Sequence, residues 1–103
     1  MKIQDTNDGE AEPLALSALG WALSDPARAQ RLLALTGITP DDLRSRLGDR
    51  SLLAEILRFL EAHEPDLLAC ADALEVTPER LVAARRSLER EGPRQSNISV
   101  ENP

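Results

Sequence analysis

Residues 32–43 read LLALTGITPDDL, Leu32 to Leu43, and this stretch decides the fold. It is the end of one helix, a tight turn and the start of the next. Gly37 stands where a helix C-cap needs a left-handed residue. Thr39 offers an N-cap oxygen and Pro40 suits the first helical position. Asp41 and Asp42 set negative charge against the positive end of the new helix dipole. The device recurs as EVTPERL, Glu75 to Leu81. Two such junctions in a short chain announce a helical protein.

Composition supports this. The 103 residues make one domain, and a chain of that size buries roughly 65% of its unfolded surface. Apolar residues are 42% of the chain, dominated by Leu and Ala, with one Trp, one Phe and no Tyr. Such a sequence forms helices readily and strands poorly. The net charge of −6 repels nucleic acid and anionic lipid. Basic charge is 11 Arg against one Lys, so most cations can bind carboxylates through planar, forked hydrogen bonds. A single Cys excludes an intrachain disulfide and a cysteine metal cluster. MKIQDTNDGEAEP at the N-terminus carries four acids and no apolar signal core. No run approaches the ~20 apolar residues of a membrane span. The expected compartment is the cytoplasm.

The spacing of apolar residues predicts a compact six-helix, all-α single domain over 13–92. Residues 1–12 are expected as a disordered acidic arm and 93–103 as a disordered tail. Pro13 opens helix one, which carries Ala15, Leu19 and Ala22 on one stripe, flanked by Leu16 and Leu23. Asp25 caps helix two, Pro26 to Thr36, with Ala29, Leu32, Leu33 and Thr36 inward. Helix three, Pro40 to Leu47, sets Leu43 and Leu47 one turn apart, and Gly48 ends it. Asp49 caps helix four, which runs to about His63 with Leu52, Leu53, Ile56, Leu57 and Leu60 inward. Pro65 opens helix five, with Leu67, Leu68, Ala71 and Leu74 inward. Thr77 and Pro78 open helix six, with Leu81, Ala84 and Leu88 inward, and Gly92-Pro93 terminates it.

The halves of the chain echo each other. Ile38-Thr39-Pro40-Asp41 realigns with Val76-Thr77-Pro78-Glu79 at an offset of 38, Leu43 falls on Leu81, and Trp21 falls on Phe59. Pro26 meets Pro65 only after a shift of one. Two readings are open: a pair of pseudo-repeated three-helix halves, or helix starts converging on Thr-Pro-acid for local reasons.

The run ALGWALSDPARAQRLLALTGITPDDLRSR, followed by LLAEILRFLEAHEPDLLACADALEVTPERLVAARRSL, resembles the small bacterial proteins grouped as domain of unknown function 3572. The resemblance covers roughly Ala15 to Leu88. It is carried by Leu33-Ala34-Leu35-Thr36-Gly37, Asp42-Leu43-Arg44, the Leu57 to Leu60 block and Ala83-Ala84-Arg85. The family pattern sets an aromatic residue before Leu33 and another near Cys70. This chain has Leu32 and Cys70 there, so its core is less aromatic. The resemblance implies a small cytoplasmic helical protein and supplies no activity.

No catalytic constellation is visible. His63, the one histidine, has Glu64 and Asp66 as neighbours, so a base with a carboxylate orienter is conceivable; the plainer reading is a solvated histidine at the negative end of a helix dipole. Cys70 has Ala69, Ala71 and Asp72 beside it and no cation to lower its pKa, which makes it a small core residue before a nucleophile. A small enzyme using His63 or Cys70 is therefore the least favoured reading. One His and one Cys cannot furnish a zinc set, Asp41, Asp42 and Asp49 lack the spacing of a calcium loop, and the five glycines are scattered. The sequence implies no metal and no cofactor.

Leu67 to Leu88 has the spacing of a DNA-reading helix-turn-helix bearing Arg80, Arg85 and Arg86. Its second helix opens on Thr77-Pro78-Glu79, however, so a carboxylate would meet the phosphates first. DNA binding or a transcription-associated role is accordingly the alternative reading. The preferred one is a non-enzymatic helical interaction module that binds protein or itself. Glu61 to Glu79 carries six acids and no Lys or Arg; Arg80 to Arg94 carries five Arg against Glu89 and Glu91. The expected surface comprises Glu61, Glu64, Asp66, Arg80, Arg85, Arg86 and Arg90. Charge of this kind steers encounter, while affinity needs apolar anchors. Trp21 and Phe59 are the aromatic candidates, and burial is the preferred reading of both.

Overall fold

The computed structural model describes the backbone of residues 2–101 and the side chains of residues 10–90. Six helices follow in order: α1 (Lys2–Leu23), α2 (Pro26–Thr36), α3 (Pro40–Ser45), α4 (Arg50–Glu61), α5 (Glu64–Leu74) and α6 (Pro78–Glu101). There is no strand among the described residues.

The junctions form as the sequence specifies. Gly37 is left-handed at φ 77°, and its N–H donates to the Leu33 carbonyl at 3.0 Å. The Asp42 N–H donates to Thr39 Oγ1, and the Thr39 N–H donates to Asp42 Oδ2, both at 3.0 Å. This reciprocal capping box uses Asp where Glu is commoner. Asp25 accepts the Arg28 N–H at 2.9 Å, Asp49 accepts the Ser51 N–H at 2.9 Å, and Thr77 Oγ1 accepts the Arg80 N–H at 3.1 Å.

The core lies between α1, α4 and α6. From α1 it takes Ala11, Ala15, Ala18, Leu19 and Ala22, and small side chains there let the neighbouring helices approach closely. From α4 it takes Leu52, Leu53, Ala54, Ile56, Leu57, Phe59 and Leu60. From α6 come Leu81, Ala84 and Leu88. α2 adds Leu32, and α5 adds Cys70 and Ala71. α3 has no buried residue.

Several expectations need correction. Helix one does not begin at Pro13: Glu10, Ala11 and Glu12 belong to α1 and pack. Pro13 removes one helical hydrogen bond, but the preceding turn is held by buried Ala11 and by ion pairs from Glu10 to Arg80 and from Glu12 to Arg50, the latter at 2.8 Å. Helix three stops two residues early. The Asp49 N–H donates to the Arg46 carbonyl at 2.9 Å, which closes a turn over 46–49 and leaves Leu47 inside it and exposed. Leu68 is exposed, because the inward face of α5 passes through Leu67, Cys70, Ala71 and Leu74. Leu16 and Leu23 are also exposed, while Ala18 joins the buried stripe. α6 continues past Gly92-Pro93. The arm assignment for 1–9 and the tail assignment for 93–103 fall on residues whose side chains lie outside the described set.

The offset of 38 is expressed in the backbone. α2 and α5 begin at 26 and 64 and end at 36 and 74. Gly37 and Glu75 both adopt the left-handed conformation, at φ 77° and 62°. The Thr39 and Thr77 caps follow, and α3 and α6 begin at 40 and 78. Pro26 and Pro65 are not equivalent, because Pro65 is the second residue of its helix.

Candidate functional site

A groove of about 460 Å³ lies between α2 and α4. Its α4 wall is Glu55, Arg58, Phe59 and Ala62, a stripe at spacings of three and four that one helix face must share. Its α2 wall is Arg31, Leu35 and Thr36, and His63 lies at the junction with α5. Phe59 is buried and forms the apolar floor; Leu35 at the rim is 72% exposed. The Arg31 guanidinium lies over the Phe59 ring, 5.8 Å from its centroid, within cation–π reach.

Each groove cation is held by a carboxylate behind it. Arg31 Nη2 donates to Asp66 Oδ2 at 2.5 Å, and His63 Nδ1 lies 3.1 Å from the same oxygen. Burial alone would raise the Asp66 pKa; hydrogen bonds from Arg31 and His63, and their charges, outweigh it and hold the carboxyl below its ordinary range. The Asp66 side chain is only 13% exposed while that of Arg31 is 41% exposed, so an incoming group meets the guanidinium first. On the other wall, Arg58 binds Glu89 Oε2 through Nε and Nη2 at 2.7 Å. Burial would raise Glu89 too, and Arg58 and Arg85 together pull it down.

Of the seven charged residues expected on one surface, Glu61, Asp66, Arg80 and Arg85 are paired within the molecule. Arg85 grips Glu61 with two hydrogen bonds, 2.7 and 3.0 Å, and Glu89 with a third at 3.0 Å. These contacts raise the Arg85 pKa, chiefly through Glu61. Arg80 pairs with Glu10, and Asp66 with Arg31. Glu64, Arg86 and Arg90 remain exposed. Of the two aromatic candidates, Phe59 is the groove floor. Trp21 is half-buried beneath Arg28, whose guanidinium carbon sits 3.6 Å from the ring centroid and whose Nη2 donates to the Trp21 carbonyl at 3.1 Å.

His63 does not end α4. It is the N-cap residue of α5, with no side-chain capping bond. Cys70 is fully buried, and burial pushes its thiol up to about 11, which keeps it protonated at neutral pH. Among the described residues, no group of three His, Cys, Asp or Glu side chains is placed to hold a metal. No described helix is long and apolar enough to cross a membrane. Leu35 is not among the residues that the sequence singles out. Its signal was an apolar side chain lying off the Leu32, Leu33 and Thr36 stripe.

A family model described as "Protein of unknown function (DUF3572)" matches residues 8–91. The chain belongs to this family. The match spans all six helices in part or whole, so in this DUF3572 member both the bundle and the groove lie within the family region. No curated protein and no solved structure matches the chain.

Proposed function

We propose that this DUF3572 chain is a non-enzymatic, cytoplasmic interaction module that docks a protein through the α2–α4 groove. One observation carries the reading: Leu35, 72% exposed, stands at the rim of a groove floored by a buried aromatic ring. A large apolar side chain in water beside an apolar depression is what a binding hot spot requires. The guanidinium groups of Arg31 and Arg58 on opposite walls supply the polar rim that fixes orientation.

The bundle also speaks for protein over nucleic acid. Two of the three arginines on the α6 half of the helix-turn-helix, Arg80 and Arg85, are already paired with Glu10 and Glu61, and Glu79 lies in the first turn. Freeing those cations for phosphate would sacrifice contacts that hold α1 and α4 to α6.

Affinity capture from the native host, with wild-type and Leu35→Glu chains as parallel baits, tests this reading. The expected result is a partner retained by wild type and lost by Leu35→Glu, with both baits equally folded. A capture indifferent to Leu35→Glu contradicts it, as does DNA retained by both.

A further inference from the structure

The floor of the groove is covered. Phe59 is only 6% exposed although it lines a groove of about 460 Å³. Part of its cover is Arg31, whose guanidinium lies over the ring, 5.8 Å from the centroid. Arg31 is not packed in place, because its side chain is 41% exposed. A cation–π contact at an exposed site holds weakly by itself. The firmer hold crosses from α2 to α5, where Arg31 Nη2 donates to Asp66 Oδ2 at 2.5 Å. Asp66 stands in the first turn of α5, and its own N–H donates to the His63 carbonyl at 2.9 Å. The oxygen that holds Arg31 also meets His63 Nδ1, at 3.1 Å, and the His63 side chain is 52% exposed.

We infer that Arg31 is a lid over Phe59, latched by Asp66, and that protonation of His63 loosens the latch and opens the floor to an apolar side chain. This rests on the reading of the groove as a docking face and adds its regulation. The sign follows from charge. With His63 neutral, Arg31 is the cation that Asp66 holds. With His63 protonated, a second positive charge stands at the same oxygen. It repels Arg31 while the lid is shut. Once Arg31 swings to solvent the repulsion is relieved, and Asp66 keeps a counter-charge. Protonation thus acts differently on the two lid positions, and that difference shifts their balance. Acidification from about pH 8 to about pH 5, where histidine gains its charge, favours the open lid. The released guanidinium stays on the α2 wall and serves the polar rim. The charged groups around His63 are Arg31 of α2, Glu55, Arg58 and Glu61 of α4, Glu64 and Asp66 of α5, and Arg85 of α6. Arg58, Glu61 and Arg85 are engaged with one another through Glu89. The contact that His63 can unbalance is Arg31 with Asp66.

The chain has one Phe and one His. Incorporated 4-fluorophenylalanine therefore labels position 59 alone, and the imidazole proton signals report position 63. The difference between the fluorine shift in H2O and in D2O measures water at the ring. In the full chain this isotope shift is expected to rise on acidification with the midpoint of the His63 titration. The open fraction should grow about two- to fivefold, the range of a surface ion-pair contribution. His63→Gln is expected to keep the low, closed value throughout, which also separates the effect from titration of Glu55 and Glu64. Asp66→Ala and Arg31→Ala are each expected to give the high, open value at every pH, with circular dichroism checking that the helices persist. A flat isotope shift in wild type overturns the inference, as does a rise that survives in His63→Gln or a closed value in folded Arg31→Ala. Should the lid behave as expected while capture of a partner ignores Leu35→Glu, the lid stands and the docking reading falls. Should the isotope shift stay flat while Leu35→Glu abolishes capture, the lid falls and the docking reading stands.

Discussion

At the scale of single residues, the equivalent positions 37 and 75 show what local chemistry demands. Both end a helix in the left-handed conformation, but one is Gly and the other is Glu. An L side chain there costs roughly 1–2 kcal/mol. Glu75→Gly is therefore expected to stabilise the protein by about 0.5–1 kcal/mol, part of the gain being lost to a freer unfolded chain. Chemical denaturation checks this, and a loss of stability would show that the Glu75 side chain has a compensating role. The carboxylates of Asp66 and Glu89 make a second expectation. Both are held below their ordinary range when folded. Their contribution is complete above the unfolded values, near about 4, and fades as pH falls through the lowered folded values. Stability should thus decline as the solution is acidified below about pH 4, and Asp66→Asn should make that decline shallower. An unchanged slope would mean that the Arg31 and His63 contacts do not persist in solution.

At the scale of elements, caps matter in proportion to what their helices bury. Thr39 and Thr77 each accept a backbone N–H at their helix starts. α6 carries Leu81, Ala84 and Leu88 into the core, whereas α3 buries nothing. Thr77→Ala is expected to cost about 1 kcal/mol of global stability. Thr39→Ala is expected to fray α3 with a smaller global loss, visible as faster amide exchange confined to residues 40–45. Equal global losses from both would show α3 to be coupled more tightly to the core than its burial implies.

Legibility in the sequence followed the same division. α2 was readable from end to end, because Asp25, Pro26 and Gly37 mark both ends chemically. α4 was readable from its leucine stripe and Asp49. The start of α1 was not, because Pro13 looks like an opening residue while the preceding turn is held by partners distant in the chain, Arg80 and Arg50. The outward turn of Leu68 was hidden by its neighbour Leu67, since either could serve the inner stripe until α5 is docked. Phe59 stands out in the sequence by its type, but its place as a groove floor depends on how α2 lies against α4, which local spacing does not encode. The place of Leu35 beside that floor is hidden for the same reason.

At the scale of the whole molecule, charge and hydrophobicity separate. Arg85 joins Glu61 and Glu89, Arg58 joins Glu89, and Glu10 joins Arg80, so much of the charge that suggested a partner binds the helices to one another. Of the large apolar side chains that the fold leaves exposed, Leu35 is the most so, and it stands beside the Phe59 floor. A photo-activatable cross-linking residue placed at position 35 in the native host, with position 86 as the exposed control on α6, puts this most directly to the test. The account expects a discrete cross-linked protein product at 35, whether a second copy or another chain, and none at 86. A product at 86 without one at 35, or none at either, would contradict it.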